Sequence, residues 1–445
     1  MDCVVLKFGG TSVQDAAALR RLVDVVAAEA RPRVVVVSAL AGVTDTLSEI
    51  AAGVLRGPAT GETLHRLLER HVAIVREMVA VPVRASLTAR LRRRFEEATS
   101  LPIRDASGRD AMLAIGELAS SDLITAVLDA AGIPAAWIDA HDVIVTDDTF
   151  GHARPDQAAI RAAAQRHLAP VLREGRVPVI GGFVGVSREG ATTTLGRGGS
   201  DYSAALVAAA LSAAEIQIWT DVDGVLTSDP RVVPGATPVS RLTFHEAYDL
   251  ARFGAKVLHW GTLEPAAEQD IPVRVLNSRR PGNAGTTISA RVRRPSPVVV
   301  GLAHQTGVTV ADVRPRGVAG SVRFIHTALE ALAGESTRVN VVVLSPSRLV
   351  AVAADHAALD RVLAAVDDVA DARVTRDAAI VAAVGEGIVG HAPVWSLLTL
   401  AAHHKHLESV MPTQSGHALV CVTTRAVALK ALAHLHDTFF APAHA

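Results

Sequence analysis

A chain of 445 residues, 49% hydrophobic and 20% charged, is long enough for about two to four domains with large cores and is globular rather than disordered. Its formal net charge of -1 provides no global field to recruit nucleic acid or an anionic membrane. Cys3 and Cys421 sit in apolar, strand-like runs and point to neither a disulfide framework nor a metal site. The opening Met1-Asp-Cys-Val-Val-Leu6 is already strand-like, and the apolar runs fall short of the ~18 residues of a membrane span. A soluble cytoplasmic protein is therefore expected, with no nucleic acid or membrane partner.

Val4 to Phe8 is a short apolar run closed by Gly9-Gly10, with Thr11-Ser12 and Asp15 ahead of a helical pattern. Leu19, Leu22, Val23 and Val26 then recur at i, i+3, i+4 and i+7, one helix face. After Pro32, Arg33 to Ser38 reads as a strand buried on both faces, as in parallel sheets. A turn at Ala41 to Thr44 leads to another helix, and the alternation predicts an α/β layer with right-handed crossovers. Residues 45 to 130 are mostly helical in pattern, with a loop at Pro102 to Gly108 and a long helix from Asp110 to Leu128 carrying Gly116-Glu117. Strands are expected at Ala135 to Asp139, Val177 to Gly182 and Ile216 to Asp221, with a helix near Asp156 to Leu172. Ser240 to Phe253 reads as helical and leads into Gly254-Ala-Lys-Val-Leu-His259, and Ile271 to Leu276 closes the sheet.

Between these strands, Thr193 to Ala205 reads TTLGRGGSDYSAA and runs directly into an apolar helix. Such a turn aims backbone N–H groups and a helix N-terminus at an anion. It also holds Arg197, Ser200 and Asp201 within a few residues of that anion, and Lys7-Phe-Gly-Gly-Thr-Ser12 is a second glycine-rich turn expected to face it.

At Arg291 to Pro297 the chain becomes basic and proline-marked, a linker signature. Beyond it, strands are expected near Val308 to Val313, Val339 to Leu344, Leu349 to Ala353, Ala379 to Val384 and Ala418 to Val422. Helices are expected near Gly317 to Leu332, His356 to Val366, Val394 to His403 and Arg425 to His436. That is a tandem of two β-α-β-β-α-β-like units, a ferredoxin-like plan.

With these motifs placed, the chain resembles the aspartate kinases of the amino-acid-kinase superfamily. The resemblance rests on Lys7-Phe-Gly-Gly-Thr-Ser12, Gly116-Glu117, Thr192 to Asp201, Trp219-Thr-Asp-Val-Asp-Gly224, Asp229-Pro-Arg231 and Gly254 to His259, in that order. It implies a carbamate-kinase-like three-layer αβα sandwich over residues 1–293, and a regulatory region of two ACT modules over 298–445. The first module would span about 306–377 and the second about 298–305 plus 378–445. The implied reaction is transfer of the ATP γ-phosphoryl group to the β-carboxylate of L-aspartate, with Mg2+ carried mainly by the nucleotide phosphates. A homodimer or higher homo-oligomer, and an amino-acid effector such as lysine or threonine at the tail, are implied too. The alternatives are a related amino-acid kinase serving a specialised pathway, or a non-catalytic amino-acid sensor.

A carboxylate acceptor with a solution pKa near ~3.9 is already ionised at neutral pH and needs no general base. The barrier is electrostatic, an anion approaching a polyanion, so positioning and positive charge are what a site must supply. By resemblance Lys7 stabilises the transferring phosphoryl group, Asp201 organises the lysines, and Gly9, Gly10 and Ser12 cradle phosphates. Ser12 can also cap the following helix, with Asp15 three residues on. Lys256 adds a second cation, and Thr220, Asp221, Asp229 and Arg231 are assigned to the nucleotide, the first two at the carboxyl end of a strand. For the amino acid, Arg197 offers a planar fork to a carboxylate. Glu117 accepts from the ammonium group, Thr44 and Ser200 add hydrogen bonds, and Phe183 is a wall.

Leu226, Trp260 and Ile115 depart from the family's usual residues without removing a charge the chemistry needs. The tail departs further: Gly317-Val-Ala319, Ser345-Pro346 and Asn340 stand where effector-binding groups are common, so weakened or retuned lysine inhibition is expected. His403, His404 and His406 resemble a metal site only superficially, and Arg92-Arg-Arg94 reads as a solvated helix face.

Overall fold

The structure, a computed structural model, describes residues 2–255, 263–293, 299–317, 321–334, 339–392, 394–396, 409–412 and 416–440. The chain divides into two compact units, Met1–Val225 with Val257–Val292, and Leu226–Lys256 with Arg293–Ala445.

The first unit is built on a sheet whose central strands are valine-rich and almost wholly buried. Among its strands are β1 (Val4–Phe8), β2 (Arg33–Val37), β3 (Ala135–Ile138), β5 (Val177–Gly181), β8 (Glu215–Thr220), β10 (Val273–Asn277) and β11 (Thr286–Ser289). They lie in the order β3-β5-β2-β1-β8-β10-β11. Pairing is parallel from β3 to β10 and antiparallel only at β10–β11. A small second sheet joins β4 (Val145–Thr146), β6 (Val184–Ser187) and β7 (Thr192–Thr194).

Helices α1 (Ala16–Ala28), α2 (Val43–Ala51), α3 (Pro58–Met78), α4 (Val81–Ser100), α5 (Ala106–Ala130) and α8 (Gly199–Leu211) belong to the same unit, the shorter α6 (Gln157–His167) and α7 (Ala169–Arg173) lying between them. The β1–β2 strands and helices α1 to α5 share one apolar core, including Leu6, Phe8, Leu22, Val37, Leu47, Leu91 and Leu123. Helix α5 is long and apolar enough to cross a membrane by length and composition, with mean hydropathy 1.5, yet 89% of its most apolar stretch is buried inside the fold. It starts earlier than the sequence pattern predicts, because the Asp105 carboxylate caps it by accepting from Gly108 N at 2.9 Å.

The second unit opens with β9 (Arg241–Thr243) and α9 (Phe244–Arg252). The sequence reads Ser240 to Phe253 as one helix; instead Thr243 stops it with a capping box, its hydroxyl accepting from Glu246 N while Glu246 Oε2 accepts from Thr243 N. The rest is a six-stranded antiparallel sheet in the order β13-β14-β12-β15-β17-β16. Its strands are β12 (Gly301–Pro315), β13 (Val341–Ser345), β14 (Arg348–Ala353), β15 (Ala370–Val384), β16 (Ser409–Pro412) and β17 (Ala418–Thr424). Helices α10 (Ser321–Ala333), α11 (His356–Val366) and the closing Arg425–Phe440 accompany them.

Two expected short strands, at Val308 to Val313 and Ala379 to Val384, are each one half of a 15-residue strand. Gly307, at φ +74°, and the register shifts around Val308 join the halves of β12. Thr309–Val313 pairs with β14, whereas Gly301–Thr306 pairs with Ala379–Val384. Each half therefore serves a different β-α-β-β-α-β set within one continuous sheet, and each set has its own core. The expected helix near Val394 to His403 lies outside the described residues apart from 394–396, as do His403, His404 and His406.

Candidate active site

The carboxyl ends of parallel strands are where open α/β sheets bind ligands, and the first unit places its polar residues there. Lys7 is the fourth residue of β1, buried, and its Nζ stands 2.6 Å from Asp201 Oδ1, with the two side chains only 10% and 13% exposed. Asp201 occupies the first turn of α8, behind Gly198 in the left-handed region at φ +75°. The helix dipole and the ammonium both favour its charge.

Gly9 and Gly10 follow Lys7 into a 3-10 turn, Gly10–Ser12. A Cβ on Gly10 would lie 3.0 Å from Ala39 O, and one on Gly9 would stand 3.7 Å from Lys7 Nζ, in the space the ammonium faces. Ser12 does not cap α1; Asp15 does, accepting from Ala18 N at 2.8 Å. The Ser12 hydroxyl instead donates to Trp219 O at 3.2 Å and lies 2.8 Å from Ser278 Oγ. Ser278 in turn donates to Thr220 O at 3.0 Å, so the ends of β1, β8 and β10 are laced together. Asp223 receives Asn277, Arg280 and Asn283 on the same rim. Thr220 and Asp221 stand at the end of β8, their side chains 3.4 Å apart.

Beside this rim opens a cavity of about 610 Å³ whose lining includes Lys7, Thr44, Glu117, Phe183, Arg197, Ser200 and Asp201. These are all of the residues the sequence assigns to catalysis and the amino acid. Thr44 sits in the first turn of α2, which begins at Gly42 with φ +78°. Phe183 holds a left-handed φ of +67°, unusual for an aromatic residue. Its N–H donates to Ser203 Oγ at 2.9 Å and its O accepts from Leu195 N, which fixes the ring against Gly199. Arg197 is exposed at the cavity and pairs with no carboxylate among the described residues.

Glu117 is buried, and its Oε2 has no hydrogen-bond partner. Burial pushes its pKa up to about 8, against the lesser pull of the Ala39 and Glu117 backbone N–H groups and the Lys7 charge. An orphaned carboxylate oxygen lining a cavity is a place for a cation with hydrogens to give.

Asp229 and Arg231 belong to the second unit, where they form an ion pair with each other. Lys256 lies outside the described residues. Sequence reasoning missed Ser38, Asp45, Ser48, Leu113, His152 and Thr194 in the cavity lining. Ser38 follows β2 directly and Leu113 lies one helical turn ahead of Glu117, so strand-end and i+4 positions were the available signals.

The fold and the cavity define a small-molecule phosphotransferase: the amino acid kinase family model matches residues 2–277. The lysine-sensitive aspartokinase 3 of Escherichia coli (strain K12) is 39% identical over 347 residues, covering 77% of this chain and 76% of that protein. The aspartokinase of Chlamydia trachomatis is 38% identical over 301 residues, 67% of this chain and 68% of that one. The solved structure of E. coli aspartokinase III in complex with aspartate and ADP matches with a TM-score of 0.87 at 32% identity, covering 98% of this chain and 100% of that one. The chain belongs to the amino acid kinase family and, within it, to the aspartokinases.

Proposed function

We propose that this chain is an aspartate kinase that converts L-aspartate and ATP to 4-phospho-L-aspartate and ADP, the opening step of lysine, threonine and methionine synthesis in the cytoplasm. The observation that carries the reading is the Lys7–Asp201 ion pair lining one cavity with Arg197 and the orphaned Glu117. Arg197 takes the α-carboxylate, Glu117 the ammonium, Thr44 and Ser200 add hydrogen bonds, and Phe183 closes one wall. A β-carboxylate oxygen attacks the γ-phosphorus, the bond to the bridging oxygen breaks, and ADP leaves with that electron pair. Lys7 neutralises charge on the transferring group, and Asp201 holds the ammonium in place.

The turn at Gly9, Gly10 and Ser12, with Thr220 and Asp221, serves the nucleotide; Asp229, Arg231 and Lys256 are assigned to it by the resemblance to the aspartate kinases alone. No cluster of three or more His, Cys, Asp or Glu side chains among the described residues could hold an ion. Mg2+ would be carried by the nucleotide phosphates, where it shields their charge. The acceptor assignment is tested by trapping acyl phosphate with hydroxylamine across acidic amino acids. Aspartate-dependent hydroxamate is expected, and a preference for glutamate would overturn it.

Arg197→Ala is expected to raise the aspartate KM by about 100-fold, the worth of a charge-assisted bidentate contact, and the ATP KM by less than about threefold. Steady-state kinetics with each substrate varied separates the two, and equal rises would refute this division of labour.

Residues 298–445 are the regulatory region, two ACT modules. Asn340 stands where an effector-binding aspartate is common in the family, and its side chain is already committed. Its Nδ2 donates to Gln305 Oε1 at 3.0 Å and Arg252 O at 3.4 Å, and its Oδ1 accepts from Ala354 N at 2.9 Å. Losing one ionic partner costs roughly 1.5–3 kcal/mol. Half-inhibition by lysine should therefore need ten- to hundredfold more effector than in the lysine-sensitive relative. Inhibition assays with lysine, threonine and both together check this, and strong inhibition by low lysine would sink it. The edge strand β13 exposes Val342 and Val343, the kind of apolar edge that pairs across a two-fold axis. A homodimer or higher homo-oligomer is the expected state, read by light scattering.

A further inference from the structure

Asp110 lies in the first turns of α5, three residues ahead of Leu113 and seven ahead of Glu117, on the stripe that lines the cavity. The residue is 2% exposed and makes no salt bridge among the described residues, so its desolvation is answered by hydrogen bonds from Gly151 and Thr194, with a lesser pull from His152. Oδ2 accepts from Gly151 N and Thr194 N, each at 2.8 Å, and Oδ1 accepts from Thr194 Oγ1 at 3.0 Å. One carboxylate thus clamps together a loop, the end of β7 and the helix that carries Glu117.

What it clamps borders the substrate. Gly151, His152, Thr194 and Gly196 all line the cavity beside Arg197. Ala153 N donates to Thr194 O at 2.9 Å, so loop and strand run against each other. Gly196, at φ +75°, is pressed so closely that a Cβ there would lie 2.3 Å from His152 Nδ1 and 3.0 Å from Gly151 O. The His152 ring therefore rests on the backbone immediately before Arg197, and the Asp110 bonds fix where that backbone runs.

We propose that Asp110 is a positioning residue for the amino-acid substrate: by holding Gly151-His152 and Thr194 together it sets the register of the Gly196–Ser200 turn, and so the placement of Arg197. The inference rests on the reading that this cavity takes aspartate. Asp110 touches no substrate; it acts on amino-acid affinity through the turn, and the nucleotide rim at Gly9, Ser12 and Thr220 is independent of it.

The test compares Asp110→Ala and Asp110→Asn with the unaltered chain, varying aspartate and ATP separately and following backbone hydrogen exchange. Asp110→Ala should raise the aspartate KM about ten- to hundredfold, the scale of an ångström-sized misplacement, with the ATP KM changed less than about twofold. Exchange should quicken over 147–154 and 192–198 but not along β8. Asp110→Asn should restore the aspartate KM to within a few-fold, because its amide oxygen can take both backbone N–H groups while its NH2 donates to Thr194 Oγ1. An unmoved aspartate KM in Asp110→Ala, or equal rises in both KM values, would overturn the proposal. Should Asp110→Ala fail to fold, Thr194→Val removes only the bond to Oδ1. A several-fold rise confined to the aspartate KM then supports the latch, and no rise overturns it. If the unaltered chain phosphorylates no acidic amino acid while exchange still quickens in Asp110→Ala, the substrate reading fails and the latch stands.

Discussion

Replacing Lys7 by methionine is expected to lower kcat by about 10³-fold or more while both substrates still bind. The ammonium lies at the carboxyl end of β1, within a cavity, 2.6 Å from Asp201 Oδ1. A preorganised positive charge aimed at developing phosphoryl charge is worth roughly 3–4 kcal/mol or more in a water-poor site. No other group in the cavity lining combines that charge with that depth, since Arg197 is exposed. The same substitution strands Asp201, which is 13% exposed. Breaking a buried pair by removing one partner costs roughly 3–5 kcal/mol, whereas replacing both partners is close to neutral.

Stability and catalysis should therefore separate. Lys7→Met alone loses both, and Lys7→Met/Asp201→Asn recovers most of the melting temperature but none of the activity. Thermal unfolding alongside single-turnover phosphoryl transfer checks the pair. A double variant that regained turnover would show that the lysine is a structural partner and not a catalytic group.

That Lys7 and Asp201 could be singled out from sequence has a local cause. Lys7 lies in β1 just ahead of Gly9-Gly10 and Asp201 in the first turn of α8 just after Gly198, so the glycines that place each side chain at the cavity are written in neighbouring residues. The valine runs of β1 and β2 fix a buried parallel sheet for the same reason. Asp110 had no such neighbour signal, because its partner Thr194 is 84 residues away and the bond exists only after β7 and α5 meet. Ser278 is similar: its value comes from Ser12, 266 residues distant. Strand length in the second unit was misjudged where Gln305-Thr306-Gly307 interrupts the apolar pattern of β12. Pairing to β15 on both sides of the bulge carries the strand through a break that local propensity alone would end.

The affinity for aspartate should climb with pH up to about 8 and then level, and Glu117 is the reason. Burial raises its pKa to about 8, so near neutrality the empty site holds it mainly as the acid. The carboxylate meets the substrate ammonium with a full charge, whereas the acid offers only a neutral carbonyl oxygen, so tight binding selects the ionised form and the apparent dissociation constant carries the reciprocal of the ionised fraction. That is a roughly tenfold change per pH unit below 8, with a proton released on binding. Glu117→Gln should raise the aspartate KM by about 100-fold at pH 8 and flatten the slope.

The stability effect has the opposite sense. An unfolded glutamate titrates near ~4.3, so the folded state holds more protons between there and about 8. Stability drawn from this group is full below the unfolded pKa and is lost as pH rises through the folded one. Glu117→Gln should therefore be no more stable than the unaltered chain at pH 4 and more stable at pH 9, with affinity and stability moving in opposite directions across the same titration. A pH-independent aspartate KM between 6 and 8 in the unaltered enzyme, or a Glu117→Gln variant that keeps the slope, would place the ammonium site elsewhere.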